Sequence, residues 1–253
     1  MNEKSQSCEK VSCSNCADSS ELDFDFTMAF QPIINCQSNT IYGYEALVRG
    51  LNNESAYSII SQVNDDNRYT FDQLCRIKAI ALASKLGINT MLSINFLPNA
   101  IYKPERCIRT TLEAAKKYNF PTTNIMFEFT EVEKIEDSSH VERVVSYYQE
   151  LGFKTATDDF GSGYSGLNLL ADFQTDIIKL DMALIRDIDK DTKCQTIVRN
   201  CLNMFEELNI TALAEGIETV EEYHWLKSVG IELMQGYLFA KPGFECLPDV
   251  NFQ

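Results

Sequence analysis

Histidine and positive charge are both scarce in this sequence. Two histidines, His140 and His224, stand among 253 residues. That leaves too few imidazoles for a histidine-rich metal centre and rules out most Ser-His-Asp arrangements. Lys and Arg number 22 against 37 Asp and Glu, a formal net charge of −15. Nucleic acid polymers are thereby excluded as general partners, because a phosphate backbone is met by a basic face. A small anionic molecule is not excluded, provided that bound cations stand between it and the acids. Long apolar runs are missing as well, so no membrane span is expected, and the polar N-terminus does not read as an export signal. In that setting the nine cysteines, irregularly spaced, read as reduced thiols of a cytoplasmic protein.

What is present suits one sizeable core: 45% of the residues are hydrophobic. Residues 1–22 are polar and without periodicity, and read as a flexible tail; residues 23–253 read as a single domain. Short apolar runs predict strands at 25–35, 41–48, 91–96, 125–130, 154–158, 175–180, 210–215 and 232–239. Amphipathic spacing predicts helices near 70–86, 105–118, 138–151, 165–171, 193–208 and 219–228. Alternation of this kind means an α/β fold, and about eight strands favour a (β/α)₈ barrel over an open doubly wound sheet. The first two strands, joined by the short "NCQSNT", form a hairpin candidate, so one strand is expected to run antiparallel.

Polar residues recur where these strands end. "IYGYEALVR" carries Glu45, "MLSINF" Asn95, and "IMFEFTE" Glu128 and Glu131. "KTATDDF" closes with Asp158 and Asp159, and "DIIKLD" with Lys179 and Asp181. "TALAEGIE" gives Glu215 and Glu218, and "ELMQGY" gives Gln235. In a barrel all these ends converge on one mouth. One acid at a strand end is usually a cap or a turn residue; a ligand-capable side chain at seven strand ends is a site. So many carboxylates in one place demand cations, and hard oxygen donors suit Mg²⁺ or Mn²⁺ better than zinc. Adjacent acids at 158–159 can bridge two ions, as in two-metal phosphodiester hydrolysis.

The stretch "TDDFGSGYSGL" also carries the spacing Gly161-x-Gly163-x-x-Gly166, a dinucleotide-turn pattern. A pyrophosphate there would face Asp158 and Asp159, and four or five strands come before it, so that reading fails. The triplet Asp159-Phe160-Gly161 has no kinase context around it. The glycines instead let a loop fold tightly beside the acids and act as a lid.

Together these motifs resemble the EAL domain family of bacterial cyclic di-GMP phosphodiesterases. Glu45-Ala46-Leu47 is the name motif, with Arg49 behind it. "FQPI" at 30–33, "SINFLPNA" at 93–100, "FEFTE" at 127–131, "IIKLD" at 177–181, "AEGIE" at 214–218 and "QGYLFAKP" at 235–242 complete it over residues 25–245. The resemblance implies a TIM-like barrel with one antiparallel strand. It implies hydrolysis of cyclic di-GMP to linear pGpG with two Mg²⁺ or Mn²⁺ per site, and Ca²⁺ inhibits in that scheme. Carried over, Glu45, Asn95, Glu128 and Asp158 hold the first metal, and Asp158, Asp159 and Glu215 serve the second. Lys179 holds the attacking water, with Glu45 and Glu215 in catalytic contact. Arg49, Gln31, Asp181 and Gln235 seat the substrate. Glu131 and Glu218 support the loop of Gly161 and Gly163, which in such proteins commonly joins a homodimer interface. The runner-up is a cyclic di-GMP receptor or a regulator acting through a protein partner.

Some residues have plainer readings. Cys8, Cys13 and Cys16, with Cys36 as a candidate fourth ligand, could hold a metal or sense redox state, though ordinary tail thiols are favoured. Cys75, Cys107, Cys194 and Cys201, and likewise Tyr147, Tyr148 and Trp225, read as packing residues of outer helices.

Overall fold

A computed structural model describes residues 22–97, 103–130, 138–162 and 166–253. The chain enters through β1 (Thr27–Asn35) and turns back as β2 (Thr40–Arg49). Asn35 makes that turn, its Oδ1 accepting from the backbone N–H groups of Gln37 and Ser38 at 3.0 Å each. Strands β3 (Met91–Asn95), β4 (Ile125–Thr130), β5 (Lys154–Phe160), β6 (Ile177–Leu180), β7 (Thr211–Ala214) and β8 (Leu233–Met234) follow, each parallel to the one before. β1 closes the barrel by pairing antiparallel with both β2 and β8. A two-residue strand, β9 (Gly243–Phe244), covers the remaining edge of β1 from outside the ring.

Helices lie outside: α1 (Ala56–Ile60), α2 (Arg68–Lys85), α3 (Pro104–Lys117), α4 (Ser138–Glu150), α5 (Gly166–Asp172), α6 (Met182–Ile185), α7 (Thr192–Glu207) and α8 (Val220–Ser228). Their starts follow local chemistry. Asp191 accepts from two backbone amides to begin α7, and Thr219 with Glu222 forms a reciprocal capping box on α8. Two apolar clusters fill the layer between strands and helices, one under α2–α4 and the other under α6–α8. Among the described residues no helix is long and apolar enough to cross a membrane.

The interior of the barrel is layered. Ile33, Met126, Ala156, Ile177, Leu213 and Leu233, with Tyr42 and Met91 against them, form an apolar floor to which every barrel strand contributes one side chain. Side chains on a strand alternate, so the next inward residue lies two positions on. Two positions nearer the mouth, those strands carry Gln31, Glu128, Asp158, Lys179, Glu215 and Gln235. Period-2 alternation thus sets a polar layer directly on an apolar one.

The expected strand at 232–239 shrinks to β8. Gly236 turns away so tightly that a Cβ there would lie 2.0 Å from the carbonyl oxygen of Ile217, and Phe239 N–H bonds back to the Gly236 carbonyl. The apolar run continued because the turn is buried, and not because the strand persists. The short elements α1, α6 and β9 carry too few residues for any period to show.

Candidate active site at the mouth of the barrel

Adjacent residues of a strand normally face opposite sides, so Asp158 and Asp159 can share the mouth only if β5 departs from regular geometry. It does so. The β5–β6 register shifts between Thr157 and Phe160, and Asp159 takes φ +56°. The Asp159 N–H turns back onto Asp158 Oδ1 at 3.0 Å. Gly161 completes the bend at φ +101°, where any Cβ would sit 2.5 Å from the Leu184 side chain of α6.

Lys179 stands at the centre, 1% exposed. Its Nζ lies 2.7 Å from Glu128 Oε2, 2.7 Å from Glu215 Oε1, 3.0 Å from Asp158 Oδ1 and 3.7 Å from Glu45 Oε2. Around it, Asn95 Nδ2 donates to Glu45 Oε1 at 3.0 Å, and Gln235 Nε2 donates to Glu45 Oε2 at 2.7 Å and to Gln31 Oε1 at 3.2 Å. The Ser93 hydroxyl donates to Glu128 Oε1. Ser93 is absent from the residues expected at the site, although the signal was there: it precedes Asn95 by two and so faces the same side.

Crowding moves the ionisation of the cluster. Burial pushes Glu128 up to about 8, with Lys179 opposing and Glu45 and Asp158 adding to the rise. Glu215 is driven well above the usual carboxylate range in the same way. Asp159 rises to about 6 through burial and then the charges of Asp158 and Asp181. Burial works against the Lys179 ammonium, yet Asp158, Glu128, Glu215 and Glu45 together hold it well above its ordinary value.

Oxygen ligands for two cations are in place. Carboxylate oxygens of Glu45, Glu128 and Asp158 lie within 4.8 Å of one another, and so do those of Asp158, Asp159 and Glu215. Asp158 belongs to both groups. Five carboxylates and one ammonium leave four negative charges when ionised, which two divalent cations cancel. Among the described residues the buried Gln235 Oε1 has no hydrogen-bond partner, which makes it an acceptor suited to a cation or its water.

An open pocket of about 260 Å³ adjoins this cluster, walled by Gln31, Glu45, Asp159, Asp181, Glu215, Glu218 and Gln235, together with Met182, Gly216, Gly236 and Tyr237. Other expected site residues have structural partners as well. Asp181 caps α6 by accepting from the Ala183 N–H at 2.8 Å, and Glu218 pairs with Arg186 at 2.8 Å. Arg49 Nη1 donates to the Val48 carbonyl at 2.7 Å, on the strand end above Glu45. Glu131, Gly163, Cys8, Cys13 and Cys16 lie outside the described residues. Cys36 is 1% exposed, follows the last residue of β1 and donates to the Ile231 carbonyl.

The EAL domain family model matches residues 19–242. The chain belongs to the EAL domain family. Among solved structures, a standalone versatile EAL protein from Vibrio cholerae O395, in its c-di-GMP-bound form, is 71% identical with a TM-score of 0.89, covering 91% of this chain and 98% of that one. BlrP1 of Klebsiella pneumoniae, in a manganese/cyclic-diGMP complex, is 36% identical with a TM-score of 0.82, over 87% of this chain and 56% of that one. Among curated relatives from Escherichia coli K12, the blue light- and temperature-regulated antirepressor BluF is 32% identical over 93% of this chain. The cyclic di-GMP phosphodiesterase PdeR is 35% identical over 70% of it. The chain spans 58% and 26% of those two proteins' lengths.

Proposed function

We propose that this EAL chain hydrolyses one phosphodiester bond of cyclic di-GMP, releasing linear pGpG, with two divalent cations held in the mouth. The observation that carries the reading is the pair of three-carboxylate groups joined through Asp158. Glu45, Glu128 and Asp158, with Asn95 beside Glu45, would hold one cation; Asp158, Asp159 and Glu215 would hold the other. Such cations would supply Lewis acidity to the phosphate and lower the pKa of a bound water.

The protein's own groups do the rest. Lys179 donates to the water that attacks, with Glu215 and Asp158 fixing its ammonium. Arg49 leaves the Val48 carbonyl to meet a phosphate oxygen through a charge-assisted bond. Gln31, Asp181 and Gln235 line the wall against which the nucleotide lies. Mg²⁺ or Mn²⁺ suits this oxygen set, and the manganese complex of BlrP1 supports that choice. Ca²⁺, larger and more loosely coordinated, is expected to fill the site without turnover. The setting we infer is a homodimer in the cytoplasm.

A second reading is favoured by one finding, the antirepressor relative: a nucleotide-binding regulator that acts on a protein partner. Turnover of cyclic di-GMP in Mg²⁺, Mn²⁺ and Ca²⁺, beside Glu45→Ala, decides between them. Appearance of pGpG in Mg²⁺ or Mn²⁺ that vanishes in the variant supports the hydrolase. Tight nucleotide binding without product in any metal sinks it and leaves the regulator.

A further inference from the structure

We propose that Asp72 and Arg76, on the outer helix α2, form a buried bracket that positions Asn95 and Glu128 as metal ligands. The proposal rests on the two-cation reading of the mouth. Both residues belong to a helix on the outer side of the strands and have no part in the chemistry above. They are 2% and 0% exposed, and Arg76 Nη2 lies 2.8 Å from Asp72 Oδ2, one helical turn away.

Asp72 reaches the end of β3. Its Oδ1 accepts from the backbone N–H of Leu97 at 3.1 Å, two residues beyond Asn95. Arg76 works on the rings next to the ligands. Its guanidinium carbon lies 5.0 Å from the centre of the Phe127 ring and 5.5 Å from that of Phe96, and its Nη1 donates to the Tyr148 hydroxyl of α4 at 3.1 Å. Phe96 follows Asn95 and Phe127 precedes Glu128. On alternating strands these rings are the outward counterparts of the two inward ligands.

The two strand ends are also tied to each other. Asn95 and Glu128 stand opposite in the β3–β4 register, and Phe96 N–H donates to the Glu128 carbonyl at 2.9 Å. The chain from Asn95 to Leu97 is therefore gripped by β4 on one side and by the Asp72 carboxylate on the other.

Stability alone does not account for such a pair. Desolvation makes a buried ion pair costly, and an apolar pair of similar volume often does as well or better. Apolar residues cannot offer an acceptor to Leu97 or a planar cation to two rings. What the charged pair adds is placement, in the way that outer groups orient the first ligands of a metal site.

The test compares the full chain with Glu128→Gln, Asp72→Ala, Asp72→Asn and Asp72→Leu/Arg76→Met. Free Mn²⁺ is followed by electron paramagnetic resonance during titration, and thermal melting without metal is recorded in parallel. Asp72→Ala and the double variant are expected to weaken Mn²⁺ binding by roughly tenfold to a hundredfold. The double variant should do so while melting close to the parent. Asp72→Asn, which keeps an oxygen for Leu97, should recover part of the loss. Parental affinity in the double variant, or equal losses in Asp72→Ala and Asp72→Asn, would overturn the bracket. A parent that binds no Mn²⁺, or binds it regardless of Glu128→Gln, removes the two-cation reading itself and the bracket with it.

Discussion

Gln235 Nε2 lies 2.7 Å from Glu45 Oε2, and the two side chains come from opposite ends of the sequence. The same amide holds Gln31 Oε1, so one residue of β1, one of β2 and one just beyond β8 meet where the barrel closes. Gln235→Leu removes both bonds and leaves Glu45 with the Asn95 amide at 3.0 Å and Lys179 at 3.7 Å. Mn²⁺ affinity should fall on the order of tenfold, with Tm little changed, because Leu fills similar space. Calorimetric titration checks this; an unchanged affinity would mean that Glu45 is held by Asn95 and Lys179 alone.

Removal of Lys179 should deepen the dependence of stability on metal. Lys179→Met leaves four close carboxylates without their ammonium. Breaking a buried charge cluster in this way costs on the order of 3–5 kcal/mol. Without metal the melting temperature should drop by many degrees, and Mn²⁺ should restore more of it than it adds to the parent. The same variant should lose turnover even when loaded.

Metal loading should expel protons. At pH 7 Glu128, at about 8, and Glu215, well above its usual range, hold protons that a cation must displace, while Asp159, at about 6, joins them only at lower pH. The sign follows directly: for acids shifted upward, metal affinity rises with pH and levels off only above the highest of these values. Titration of Mn²⁺ at pH 7 in buffers of differing ionisation enthalpy should give heats that scale with the buffer, at about one proton released or more. Identical heats in all buffers would contradict the proton load.

At the opposite end of the barrel, Asp176 anchors the start of β5. Burial opposes its charge, but Lys154 at 2.6 Å and the Thr155 N–H and hydroxyl at 3.0 and 2.9 Å hold its pKa below the ordinary value. A depressed acid stabilises the fold above its unfolded pKa, near 4, and that contribution is lost as pH falls through the depressed value. Asp176→Asn should cost about 1–2 kcal/mol at pH 7, with Lys154 discounted for its exposure. Urea melts of parent and variant should converge as the pH falls through the depressed value.

Much of this architecture was legible because alternation and strand ends are local signals. Glu45, Asn95, Glu128, Asp158, Lys179, Glu215 and Gln235 could be read off by where each apolar run stops. The shared face of Asp158 and Asp159 could be suspected but did not follow from the pattern, since regular strand geometry forbids it and only the shift before Phe160 permits it. The strand expected at 232–239 was too long because Leu238 to Ala240 are apolar for burial within a turn. The pairing of Asp72 with Leu97 left no trace, since a helix face gives no indication of which distant amide it will meet.

The apolar floor has a consequence for traffic. With a side chain from every strand closing the barrel below the charged layer, the interior is a cup and not a tube. Among the described residues, the way to Lys179 lies over the rim walled by Tyr237, Glu218 and Asp181, and on the proposed hydrolysis the products would leave over the same rim. A floor shared by all eight strands separates arrival from departure in time and not along the barrel axis, so under the proposed hydrolysis one product would clear the doorway before the next substrate enters.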